Sequence, residues 1–172
     1  MNRFEFLIWI VSKLNDVGSW SGNTHVQKIV ELAQSISGKE FYKFVLHHYG
    51  PYSFDLNGDL NLLVSAGYLE KEIAEAGYHY RLAEKGAKML NGLQEASGQE
   101  KALKVAEKVS ELLGKSPTIV LELISTIDYF EKKARDEEEL IANVRKVKPQ
   151  FSEEIIKKAL EWWKNKKTEL AN

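Results

Sequence analysis

Four histidines, His25, His47, His48 and His79, are the residues of this chain best suited to metal binding or proton transfer. None has a second ligand at metal spacing, and no His-Glu-x-x-His occurs. His47 and His48 are adjacent, so in an extended segment they point to opposite faces and cannot easily share an ion. Cysteine is absent, which excludes disulfides, thiol catalysis and cysteine metal sites and fits a reducing compartment. No Walker loop, Gly-x-Gly-x-x-Gly fingerprint or Gly-x-Ser-x-Gly elbow is present. The acidic runs Asp136–Glu139 and Glu153-Glu154 fall at expected helix starts, where the helix dipole and solvation account for them. Nothing in these residues points to an enzyme, and no metal or cofactor is expected.

Two further clusters could serve binding. In one helix the rings of Trp162 and Trp163 diverge by about 100°. Trp163 shares a face with Ile156, Ala159 and Leu160 and reads as core, leaving Trp162 as a candidate contact for a partner. Lys164, Lys166 and Lys167 read as a solvated helix end, where cations suit the dipole.

The elements that must position such residues are mostly helical. Arg3 to Asp16 carries Phe4, Leu7, Ile8, Val11 and Leu14 at helical spacing, and Phe6, Trp9 and Ile10 widen the apolar surface. Such a helix needs cover on two sides, either from the rest of the chain or from a second copy. After a Gly18–Gly22 turn, Asn23 or Thr24 should cap a second helix that ends at Gly38. Phe41 to His47 reads as a short strand or extended segment leading into a rigid Tyr49-Gly50-Pro51-Tyr52 corner. Ser53 then caps a third helix running to about Ala66, followed by two wing strands, Tyr68–Ile73 and Tyr78–Leu82, around Ala74-Glu75-Ala76-Gly77. A helix from Ala83 to about Leu93 closes the module. Beyond it, Ser97-Gly-Gln-Glu100 reads as a capping box, Ser116-Pro117 as an N-cap and first helical residue, and Asp136 and Ser152 as further caps. Thr118 to about Lys133, the most apolar helix, is expected at the centre of the C-terminal packing.

The third helix of a winged helix usually enters the DNA major groove. Here Leu56, Leu60, Leu63 and Val64 point inward, while Asp55, Gly58, Asn61, Leu62 and Ser65 point out, with Asp59 expected near phosphate. No Lys or Arg occurs from Ser53 to Ala66. The wing offers Lys71, His79 and Arg81 against Glu70, Glu72 and Glu75. Affinity for duplex DNA comes largely from neutralising phosphates, so Asn61, Lys71, His79 and Arg81 would make a weak nucleic-acid surface. Overall charge agrees: the chain is −1, with 9 basic against 11 acidic residues up to position 96 and 15 against 14 after it. Leu62 on a polar face suits burial by the C-terminal helices or by a protein partner.

The segment Thr24-His-Val-Gln-Lys-Ile-Val-Glu-Leu, then Tyr42 to Tyr49, Gly50-Pro51-Tyr52-Ser53 and Leu60 to Leu69, resembles the YwgA-like uncharacterised winged-helix proteins. More distantly it resembles the Panacea (SocA-like) antitoxin domains. The resemblance covers roughly residues 4–95 and extends less specifically to the C-terminal helices. It implies a winged helix with a structural role for Tyr49, Gly50 and Pro51. Through the Panacea domains, which neutralise toxins by protein contacts, it implies an antitoxin or defence setting.

The sequence therefore predicts a mainly α protein: a winged helix-turn-helix over 1–96 with a two-stranded β wing, and a helical extension over 97–172 packed on it as one unit. The expected function is that of a non-catalytic regulatory module acting by protein–protein binding. Asp55, Asn61, Leu62, Ser65 and Trp162 form the candidate partner surface, and Tyr49 to Ser53 the structural motif. The rival is a DNA-binding transcriptional regulator. A homodimer through the first helix, no membrane association and a cytoplasmic location complete the expectation.

Overall fold

The computed structural model describes residues 1–75, 77–97 and 100–171. The chain folds as α1 (Arg3–Asp16), α2 (Asn23–Ser37), β1 (Val45–His47), β2 (Gly50–Tyr52), α3 (Phe54–Ser65), β3 (Leu69–Ala74), β4 (Gly77–Leu82), α4 (Glu84–Ser97), α5 (Lys101–Leu113), α6 (Thr118–Glu131), α7 (Glu137–Val147) and α8 (Glu153–Ala171). It is a mainly helical fold in a winged-helix-like arrangement. The wing is the antiparallel pair β3–β4, in register from Leu69↔Leu82 to Ala74↔Gly77. Ala76, in the predicted wing turn, lies outside the described residues.

Local chemistry explains why the first helices form. Asn2 closes a reciprocal capping box on α1: its Oδ1 accepts from the Phe4 and Glu5 amides, and Glu5 reaches back to the Asn2 amide. Residues Phe6 to Val11 are then buried without interruption. They can be, because α1 is covered by α2, α3, α4, α5 and β4 at once. The broad apolar surface is thus satisfied within the chain, and a contact between two copies would have to use another face. Asn15 and Ser21 tie the wing to this helix. The Asn15 amide donates to the Tyr80 carbonyl (3.0 Å) and accepts from the Leu82 amide (3.2 Å), while Ser21 pairs with Tyr80 through backbone and hydroxyl.

Several predicted caps differ. Gly22, not Asn23 or Thr24, is the N-cap of α2, and no side chain caps it. The Trp20 ring packs on Gly22, where a Cβ would meet it at 2.9–3.0 Å, so a bulkier cap has no room. In the Ser97–Glu100 motif, Ser97 is the last residue of α4, and Glu100 rather than Ser97 is the N-cap of α5, with no side-chain cap bond. Gly98 and Gln99 of that motif lie outside the described residues. At α6 the cap is Pro117 rather than Ser116, a shift of one residue. Asp136 caps α7 as expected, accepting from the Glu139 amide at 2.8 Å.

The connection from α2 to α3 is longer than a tight helix-turn-helix turn. It contains a hairpin, Val45↔Tyr52 to His47↔Gly50, so the expected corner is the return strand of a β-ribbon. His48 and Tyr49 keep negative φ and Gly50 closes the turn at φ +89°. The adjacent histidines do not diverge, because His48 sits in the turn rather than in the strand; their rings lie 4.8 Å apart.

α6 is central, packing against α2, β2, α7 and α8; its apolar residues Leu123, Ile124 and Ile127 are buried, but the helix start is not. Ile119 and Val120 are exposed, and Glu122, Ser125, Thr126 and Asp128 are buried beside Leu121, Ile124 and Ile127. The Ser125 and Thr126 hydroxyls donate to the Glu122 carbonyl, while the two carboxylates meet lysines: Lys148 on Glu122 at 2.8 Å, and Lys132, at the end of the same helix, and Lys167 on Asp128 at 3.0 and 2.7 Å. Lys167 is therefore not part of a solvated helix end. The Trp163 indole also donates to Asp128, at 3.0 Å.

Candidate partner surface: third helix, wing and Tyr-Gly-Pro hairpin

The aim of α3 is set by its first turn and its middle. The Gln27 side chain pairs with the Ser53 backbone in both directions, donating to the carbonyl and accepting from the amide, each at 2.9 Å. Ser53 in turn caps the Leu56 amide. Upstream, the Lys28 ammonium donates to the Pro51 carbonyl at 2.6 Å. Lys28 is only 1% exposed, and burial lowers its pKa to about 8 against the pull of Glu122 and Glu31. Gly50 touches α6 so closely that a Cβ would lie 2.6 Å from Thr126 Oγ1. The Tyr49-Gly50-Pro51 motif is thus where the hairpin is clamped between α2 and α6, with the Tyr49 ring itself left exposed.

In mid-helix the structure overturns one expectation. Asp59 does not face outward. It is buried and takes a two-point contact from Arg3 (Nε at 2.8 Å, Nη2 at 3.0 Å) and a hydrogen bond from the Tyr42 hydroxyl at 3.0 Å. Burial and the neighbouring Asp59 carboxylate raise the Tyr42 pKa.

Asp55, Asn61, Leu62 and Ser65 do lie on the exposed side of α3. Leu62 is 54% exposed. The C-terminal helices leave it uncovered, because α3 packs on α1, α2 and β3 while α5 and α6 pack on α2. Beside Leu62 lies a hollow of about 280 Å³ lined by Phe4, Leu63, Ala66, Tyr68 and Met89. Trp162 belongs elsewhere: α8 packs on α2, α5, α6 and α7. Its ring, partly exposed, lies 6.3 Å from that of buried Trp163, with 29° between the ring planes.

The four candidate nucleic-acid contacts are split between the two faces of the wing, with Asn61 of α3 on the side of Lys71. Lys71 donates to Asn61 Oδ1 at 3.0 Å and lies over the Tyr78 ring at 4.6 Å. His79 and Arg81 project from the other face, where both bind Glu72 Oε2, His79 at 2.7 Å. Trp20 flanks His79 at 5.1 Å. Lys71, His79 and Arg81 are therefore each engaged, on two separate faces of the wing. The polar seam behind the hairpin, with Glu31 at its edge, escaped sequence reasoning because its partners are far apart in the chain.

Among the described residues, no helix is long and apolar enough to cross a membrane. No family model matches the chain. It is 26% identical over 157 residues to the uncharacterized protein YwgA of Bacillus subtilis (strain 168), a similarity that spans 89% of this chain and 91% of that protein and so takes in C-terminal as well as N-terminal helices.

Proposed function

We propose that this protein is a non-catalytic winged-helix regulatory module that binds a protein partner through the outward face of α3. One observation carries the reading: Leu62 stands exposed at the edge of an apolar hollow on the face that a DNA reader would fill with cations. Supporting it, Lys71 is held by Asn61, and the Glu72 carboxylate pairs with Arg81 and hydrogen-bonds His79. The resemblance to Panacea domains supplies an antitoxin or defence setting. A DNA-binding regulator is the rival, favoured by the fold alone.

Two measurements separate the readings. Binding to random duplex DNA is followed at low and moderate salt, and a photo-crosslinking residue is placed at position 62 in cells. The module reading expects DNA binding weaker than about 1 µM with a shallow salt slope, and a discrete crosslinked protein that disappears in a Ser65→Arg background, a change on the exposed side of the helix. Tight binding with a steep slope, and no crosslink from position 62, would overturn it.

A further inference from the structure

A second cleft, of about 340 Å³, opens between the C-terminal half of α2, the chain after it, and the end of α6. Its walls include Glu31, Tyr42, Phe44, Tyr129, Lys132 and Lys133. Glu31 is the anomaly. It is 2% exposed, its Oε1 receives one long contact from Lys132 at 3.4 Å, and its Oε2 is buried with no hydrogen-bond partner. A buried carboxyl oxygen left without a hydrogen-bond partner is costly in either protonation state, and native structures rarely keep one without a use. The lysines of the cleft do not relieve it. Lys132 also pairs with Asp128 at 3.0 Å, and Lys133 is held on Tyr129, at 2.9 Å from the hydroxyl and 4.1 Å from the ring centroid.

We infer that this cleft binds a small organic ammonium, with the charged head on Glu31 Oε2 and an apolar body against Tyr42, Phe44 and Tyr129. A primary ammonium supplies the missing donor as a charge-assisted bond. Aromatic faces suit both a cation and the carbon skeleton behind it. Burial and nearby Asp128 push the Glu31 pKa up to about 8, and a bound cation relieves that cost by stabilising the ionised form. This site does not depend on the α3 surface, so its test stands apart from the partner reading.

The probe is 2-phenylethylamine, protonated at pH 7.5, titrated into the full chain and followed by amide NMR shifts. Saturable shifts are expected around Glu31, Ser35, Gly38 and Tyr129. 2-Phenylethanol, the neutral analogue, should bind about tenfold or more weakly, and Glu31→Gln should weaken the amine by a similar factor. Should Glu31→Gln not fold, Tyr129→Ala takes its place, because that ring is only half-buried; a severalfold loss is expected. Absence of saturation up to about 10 mM, a site that weak lying below ordinary recognition, would overturn the inference. So would equal affinity for the alcohol, or unchanged binding in the folded variants.

Discussion

Replacing Gly50 by alanine tests whether the hairpin is clamped where the geometry places it. Two costs add at this position. The backbone sits at φ +89°, which a residue with a Cβ occupies at a cost of about 1–2 kcal/mol. The new methyl would also lie 2.6 Å from Thr126 Oγ1 and 3.5 Å from the Glu122 carbonyl, and overpacking of this kind costs about 1–3 kcal/mol. Gly50→Ala should therefore lose about 2–5 kcal/mol in urea unfolding. Gly67 provides the control: φ is +76° and nothing lies within 4 Å of its Cβ position, so Gly67→Ala should lose only the backbone part. The clash itself is isolated by Thr126→Ala, which removes the atom in the way. Gly50→Ala and Thr126→Ala should then be less than additive by about 1 kcal/mol or more. Equal losses at Gly50 and Gly67, together with strict additivity with Thr126→Ala, would refute the clamp.

Two further outcomes follow from the polar interior. Glu31 titrates near 8 in the folded chain against 4.5 as its ordinary value, so between those limits the folded state holds the extra proton and stability falls as pH rises. Lys28 titrates near 8 against 10.5, so from about pH 8 to 10.5 the unfolded state holds the extra proton and stability rises with pH. Denaturant midpoints across this range should show the falling limb flattened in Glu31→Gln and the rising limb flattened in Lys28→Met, each relative to the parent chain. In α3, Asp59→Ala strands the Tyr42 hydroxyl and one end of Arg3. A loss of about 2–3 kcal/mol is expected, below the range for a fully buried pair because Arg3 is part-exposed; thermal unfolding with a loss under about 0.5 kcal/mol, the level of an ordinary surface change, would count against the pairing.

What could be read from the chain was what its local chemistry decides. Ser53 and Asp136 cap helices because an oxygen next to a free amide needs no distant help. Leu62 stood out because it breaks the helical phase of its neighbours. The interior of α6 could not be read the same way. Glu122 and Asp128 look like part of a solvent face until Lys148 and Lys167 are brought to them from 26 and 39 residues away along the chain. Asp59 misled for the same reason, since Arg3 is 56 residues upstream. The missing cap at Gly22 depends on Trp20 folding onto it, a packing event with no local signature.

The link between α2 and α3 combines two unlike halves. From Gly38 to Glu40 it is exposed, whereas Gly50 to Ser53 is pinned by Lys28, Gln27 and Thr126. Lengthening the chain at Lys39 or Glu40 adds little closure entropy and leaves the orientation of α3 untouched. Inserting one residue between Gly50 and Ser53 shifts the strand register and pulls Ser53 off Gln27. Length variation among relatives should therefore collect in the first half of this link and stop sharply at the second.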